Sequence, residues 1–120
     1  MKTILVIDDE PDIAEVTGDL LELEGYRVLR ASNGQEALPK IAEDAPDLII
    51  TDMMMPLMDG RELLAALKEN GTLARIPVIA ISATDLSDVK ELYGVACMQK
   101  PFDVDGLLEY VAVVLNAKDG

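Results

Sequence analysis

Four residues of this 120-residue chain carry a charge where a buried chain would not be expected to put one. Asp8 and Asp9 follow the apolar run Ile4-Leu5-Val6-Ile7. Asp52 follows Leu48-Ile49-Ile50-Thr51 and opens Met53-Met54-Met55-Pro56-Leu57-Met58-Asp59-Gly60, and Lys100 precedes Pro101 after a third, weaker apolar run. Carboxylates drawn within a few ångströms repel one another, and folding tolerates this only if a cation serves them. The chain has no histidine and a single cysteine, Cys97, so zinc, copper and iron lack their usual ligands. Hard carboxylate oxygens suit Mg²⁺, with Mn²⁺ as a substitute. In such a place Asp52 can act as a nucleophile toward a phosphoryl group. The transferring group needs its charge stabilised more than it needs a proton moved. The metal would hold one oxygen and the Lys100 ammonium a second. The Ser82 hydroxyl and a backbone N–H just after Asp52 could take the third. The product is an acyl phosphate, whose formation can drive local rearrangement.

The elements that must position these groups are legible as alternating short apolar runs and amphipathic segments. Thr3–Ile7 reads as a strand covered on both faces. Pro11 suits a first helical turn, and Ile13, Val16, Leu20 and Leu21 recur with helical period until Gly25. A second strand spans 26–31, and a helix over 33–44 turns Ala37, Leu38 and Ile41 inward, with Pro39 expected to kink or shorten it. The third strand spans 47–52. Asp59 and Glu62 form a capping box for a helix carrying Leu63, Leu64 and Leu67 and stopping at Asn70-Gly71. A fourth strand over 77–82, a short helix over 85–93, a fifth strand over 95–99 and a helix over 104–116 burying Leu107, Leu108, Val111 and Leu115 complete the chain. Five β/α units predict an α/β, doubly wound parallel sheet with helices on both faces. Ligands of such sheets bind outside the carboxyl ends of the strands, where Asp8, Asp9, Asp52, Ser82 and Lys100 all fall.

Composition narrows the partners. Ten basic against 23 acidic residues leave a formal charge of -13, which argues against nucleic acid and anionic membranes and favours cations and basic protein surfaces. Half of the residues are hydrophobic but only 3% are aromatic, so the core is aliphatic. The first apolar run is too short for a signal sequence and no stretch would span a bilayer. The expectation is a cytoplasmic domain occupying residues 1–120, with no output module.

The chain resembles, over essentially its whole length, the receiver domain of two-component response regulators. The resemblance rests on Ile7-Asp8-Asp9-Glu10, Thr51-Asp52, Met55-Pro56-x-Met58-Asp59-Gly60, Ile81-Ser82-Ala83 and Lys100-Pro101-Phe102, in that order. It implies a (βα)₅ flavodoxin-like fold with strand order 2-1-3-4-5. It implies Asp52 as the acceptor of a phosphoryl group from a sensor histidine kinase or histidine phosphotransfer protein, with partner binding changed as a result. Asp9, Asp52 and the Met54 carbonyl would ligate Mg²⁺ directly, and Asp8 through water. Ser82 would be the switch hydroxyl, Lys100 would pair with the phosphoryl group, and the Lys100–Pro101 bond would be cis. Three departures bear on readout: Cys97 where the family usually has Tyr or Phe, a segment between Ser82 and Lys100 about one helical turn (about four residues) short, and Pro39. The fourth helix is therefore expected to be shortened. Met54, beside the acceptor, is expected to hinder attacking water and slow dephosphorylation.

Plainer readings exist for each feature taken alone. Asp9 or Glu10 could cap the first helix. Lys100 could be an ordinary solvated lysine, and Ser82 a strand-end serine bonded to backbone. The methionines could fill core and loop, Cys97 could be a buried small hydrophobe, and Asp12, Glu15, Asp19 and Glu22 a solvated face. Two other functions compete with the switch. A haloacid-dehalogenase-like phosphatase needs a second acid two residues after its nucleophile, where this chain has Met54. A phosphorylation-independent docking module (a pseudo-receiver) would not need the full acidic set.

Overall fold

A run such as Leu48-Ile49-Ile50 has no polar face to offer water, so it becomes a strand only where both sides of the sheet are covered. The computed structural model, which describes residues 1–55, 57–71, 73–83, 86–93, 95–100 and 104–119, bears this out. The elements run β1 (Thr3–Ile7), α1 (Pro11–Leu23), β2 (Arg27–Ala31), α2 (Gly34–Asp44), β3 (Leu48–Asp52), α3 (Gly60–Glu69), a 3₁₀ turn (Leu73–Arg75), β4 (Val78–Ser82), α4 (Ser87–Tyr93), β5 (Ala96–Gln99) and α5 (Val104–Asp119). All strands pair in parallel in the order β2-β1-β3-β4-β5. Every residue of β3 and β4 is buried. The expected (βα)₅ flavodoxin-like topology is present, including a fourth helix of only seven residues.

The period-two alternation of the strands divides the core in two. Leu5, Ile7 and Ile49 pack against Ala37 and Ile41 of α2, Leu63, Leu64 and Leu67 of α3, and Val89 of α4. Ile4, Val6, Ile50, Ile79 and Ile81 pack against Ala14 and Leu21 of α1 and Leu107, Val111 and Leu115 of α5. Helix boundaries follow their caps. Asn33 Oδ1 accepts the Glu36 N–H at 2.8 Å, and Asp59 and Glu62 form the expected reciprocal box at 3.0 and 3.4 Å. Gly25, at φ +93°, turns the chain after α1 in a conformation that other residues rarely adopt.

Two expectations need correction. The inward face of α1 is Ala14, Gly18 and Leu21, whereas Ile13 and Val16 are 39% and 58% exposed. Small residues win that face because Arg30 of β2 lays its guanidinium over Gly18. Pro39 does not shorten α2, which continues to Asp44. Both Pro39 and Gln35, the residue whose carbonyl loses a donor, lie on the exposed side, where water can serve that carbonyl.

The loop from β3 to α3 is tied back on itself. The Gly60 N–H donates to the Met53 carbonyl at 3.1 Å, and the Gly34 N–H to the Met58 carbonyl at 3.0 Å. A Cβ on Gly60 would collide with the buried Met53 sulfur and come within 2.9 Å of Met53 Cα and 3.0 Å of the Asp52 carbonyl oxygen. Backbone atoms cannot rotate away as a side chain can. Gly60→Ala is therefore expected to lower stability by about 1–3 kcal/mol in urea denaturation. Gly71→Ala, where nothing lies within 4 Å, should be nearly neutral. Equal midpoints for the two variants would overturn this account.

Candidate functional site

The site forms where the ladders end unevenly. β1 pairs with β3 as far as Ile7 and Thr51, while β3 pairs with β4 one residue further, Asp52 with Ile81. Asp52 is thus held on the β4 side and open toward β1, where Asp8 and Asp9 emerge. The Met53 N–H to the Ile81 carbonyl, at 3.1 Å, fixes the peptide that follows the acid. Asp8 is anchored through its own N–H to the Ala31 carbonyl at 3.1 Å. Its Oδ1 accepts the Glu10 N–H at 2.9 Å. Glu10 stands at the N-cap of α1 without a side-chain bond, so it is Asp8 that satisfies a backbone donor there. Asp9 is exposed.

Both oxygens of the Asp52 carboxylate are engaged. Oδ1 accepts the Met54 N–H at 3.1 Å, and Oδ2 accepts from Lys100 Nζ at 3.0 Å. Asp52 is buried and Lys100 partly so. Lys100 reaches inward because its N–H donates to the Ser82 carbonyl at 2.8 Å, pinning the end of β5 to the end of β4. Ser82 itself is buried as the last residue of β4. Carboxylate oxygens of Asp8, Asp9 and Asp52 lie within 4.8 Å of one another. Asp8, Asp52 and Lys100 also border a mostly apolar cavity of about 530 Å³, lined by Val6, Ile13, Thr17, Ile50 and Ile81.

The electrostatics follow from burial and crowding. Burial raises the Asp8 pKa above the ordinary aspartate value; the Asp52 and Asp9 charges add to this, against the Glu10 N–H and Lys100. Burial alone would lower the Lys100 pKa, but its hydrogen bond to Asp52 and the charges of Asp52, Asp8 and Glu10 outweigh that and raise it. The cluster offers only hard oxygens, and one of its acids resists ionisation. That donor set fits a divalent cation of the Mg²⁺ type, whose charge would relieve the cost.

The structure thus brings together Asp8, Asp9, Asp52, Ser82 and Lys100, with Met54 attached to Asp52 through its N–H while its side chain is 73% exposed. The expected cis bond at Pro101, and the positions of Pro56 and Phe102, lie outside the described residues. Other readings are refined. Of Met53, Met54, Met55 and Met58, Met53 alone is fully in the core. Cys97 is partly buried on β5, and burial raises its thiol pKa. Asp19 and Glu22 are not simply solvated, since each lies 3.1 Å from the Arg30 guanidinium. The sequence reading missed that pairing, as well as the apolar cavity. The small pair Ala14 and Gly18, four residues apart on α1, was the available signal that another side chain approaches there.

Comparison with known proteins agrees with this geometry. A family model described as the response regulator receiver domain matches residues 4–112. The chain is 33% identical to the sporulation initiation phosphotransferase F of Bacillus subtilis, over 96% of this chain and 94% of that one. It is 37% identical to the phosphate regulon transcriptional regulatory protein PhoB of Pseudomonas aeruginosa, over 96% of this chain but only 52% of that one. Several relatives are thus about twice as long as the chain, which spans half of a probable transcriptional regulator of Pyropia yezoensis, for example. Among solved structures, a CheY-like response regulator receiver domain protein of Methanospirillum hungatei superposes with a TM-score of 0.90 at 30% identity, covering 99% of this chain and 97% of that one.

The raised Asp8 pKa gives a signed prediction. Its contribution to stability is fully present below the ordinary aspartate pKa and lost as pH rises through the higher folded value. At pH 7 the ionised Asp8 therefore destabilises the metal-free fold. Asp8→Asn, which keeps an oxygen for the Glu10 N–H, should raise the melting temperature in EDTA at pH 7 by roughly 3–6 °C, about 1 kcal/mol at this size. The gain should vanish at pH 3, and a lower melting temperature at pH 7 would overturn the assignment. Mg²⁺ should stabilise the parent more than the variant.

Proposed function

Because this chain belongs to the response regulator receiver domain family, the phosphorylatable switch of two-component signalling, we propose that Asp52 is its phosphoryl acceptor. The observation that carries this reading is the 3.0 Å contact from Lys100 Nζ to Asp52 Oδ2, beside two further carboxylates within 4.8 Å. Asp52 attacks phosphorus with a carboxylate oxygen, and the bond from phosphorus to the donor's nitrogen or oxygen breaks. Lys100 is placed to leave the carboxylate for an oxygen of the incoming group, so its charge is not lost but passed on. Asp9, Asp52 and the Met54 carbonyl would hold Mg²⁺, or Mn²⁺ in its place, with Asp8 acting through water. That ion supplies charge neutralisation at the phosphoryl oxygens. Ser82, at the end of β4, would take up a phosphoryl oxygen through its hydroxyl, which transmits the event to the segment leading into α4.

The donor is a sensor histidine kinase or histidine phosphotransfer protein, since the chain has no histidine of its own. The output is a change in affinity for a protein partner. A cytoplasmic location accords with both. No described helix is long and apolar enough to cross a membrane. Met54 in the second position after the nucleophile leaves a dehalogenase-like phosphatase without its acid, which supports a switch over turnover on a small substrate.

Incubation with acetyl phosphate and Mg²⁺ should add one phosphate to the intact mass, and Asp52→Ala or EDTA should each abolish it. Absence of the adduct with both acetyl phosphate and phosphoramidate would overturn the reading in favour of a phosphorylation-independent docking module. Met54→Asn should shorten the lifetime of the adduct several-fold, measured by loss of the added mass after donor removal. An unchanged lifetime would show that Met54 does not exclude attacking water.

A further inference from the structure

Thr51 is the one polar residue in the buried stretch that delivers Asp52. β3 is covered on both faces, and Thr51 is fully buried beside Ile7 of β1 and Ala80 of β4. Packing alone favours valine there, which has the same shape and no hydroxyl to desolvate. The hydroxyl does not go unused. Thr51 Oγ1 donates to the carbonyl oxygen of Asp52 at 2.8 Å, a buried bond.

That oxygen belongs to a peptide unit whose orientation matters. The β1–β3 ladder stops one residue short of Asp52, so the sheet holds the acid from the β4 side alone. On the next residue, the Met53 N–H bonds to Ile81 of β4 at 3.1 Å. The carbonyl is approached by Gly60, where an added Cβ would stand 3.0 Å away. The Thr51 hydroxyl supplies a further constraint on that oxygen. Since the carboxylate hangs from the same Cα, a tilt of this peptide swings the carboxylate against Asp8, Asp9 and Lys100.

We infer that Thr51 is a positioning residue for the phosphorylation of Asp52, acting through its hydrogen bond to the acceptor's own carbonyl oxygen. The inference rests on the reading of Asp52 as the acceptor. It predicts that the strand requires a hydroxyl at this position, Thr or Ser, for full reactivity rather than for folding.

The test compares Thr51→Val and Thr51→Ser with the parent, by intact mass over time at increasing acetyl phosphate in saturating Mg²⁺, with melting temperatures alongside. Misplacing a reacting group by a fraction of an ångström costs roughly tenfold in rate. Thr51→Val should therefore lower the maximal rate by roughly three- to tenfold. Its donor half-saturation should be unchanged and its melting temperature equal or higher. Thr51→Ser should stay within about twofold of the parent maximal rate, since it keeps the donor of the bond. A Val variant as fast as the parent would overturn the inference, and so would a Ser variant as slow as Val. A rate loss in step with a fallen melting temperature would assign Thr51 to folding instead. If the parent itself takes no phosphate, it is the reading of Asp52 that fails, and the two failures are distinguishable.

Discussion

The arrangement turns on one partly buried ion pair, Lys100 with Asp52. The carboxyl edge of the sheet gathers three carboxylates within 4.8 Å, a grouping that desolvation makes unfavourable. A single ammonium at 3.0 Å offsets part of that repulsion. The lysine is not free to wander, because its own N–H is bonded to the Ser82 carbonyl. The cation that balances Asp52 is thus tied by backbone to Ser82, the residue proposed to sense phosphorylation.

The rest of the fold serves to hold that edge still. β3 and β4 are covered on both sides, so the strands carrying Asp52 and Ser82 have little freedom to shift. The loop beyond Asp52 is closed by Gly60 on Met53 and by Met58 on the start of α2. Leu57 within it adopts φ +66°, a left-handed conformation that is costly for a bulky residue. Strain of this kind persists only where surrounding bonds over-determine the backbone, as they do here.

The α4 side is built more lightly. With seven residues, α4 contributes Val89 to the core, and its first turn is strapped to α3 by Arg61, whose guanidinium meets both oxygens of Asp88 at 2.8 and 3.3 Å. The Arg61 hydrogen bond and charge hold the Asp88 carboxyl below the usual carboxylate range. Being exposed, this pair orients the helix more than it stabilises it. Cys97, partly buried, lies next to this side on β5.

Much was legible in the chain before any coordinates. Short apolar runs such as Ile4-Leu5-Val6-Ile7 read as strands covered on both faces, and the capping box of Asp59 and Glu62 marked a helix start through local bonds. The placement of Asp8, Asp52, Ser82 and Lys100 at strand ends followed from the same periodicity. These features depend on neighbours a few residues away, so the order of residues carries them. What tertiary structure decided are contacts between distant segments. Whether α1 turned Ile13 and Val16 or Ala14 and Gly18 inward depended on Arg30, fifteen residues past Glu15, reaching over Gly18. The role of the Thr51 hydroxyl depended on where the β1 ladder stopped. The pairing of Lys100 with Asp52 spans 48 residues, a separation at which periodicity places both groups at one edge but cannot fix the distance between them. Periodicity assigns a residue to a face; only packing decides which atom it meets there.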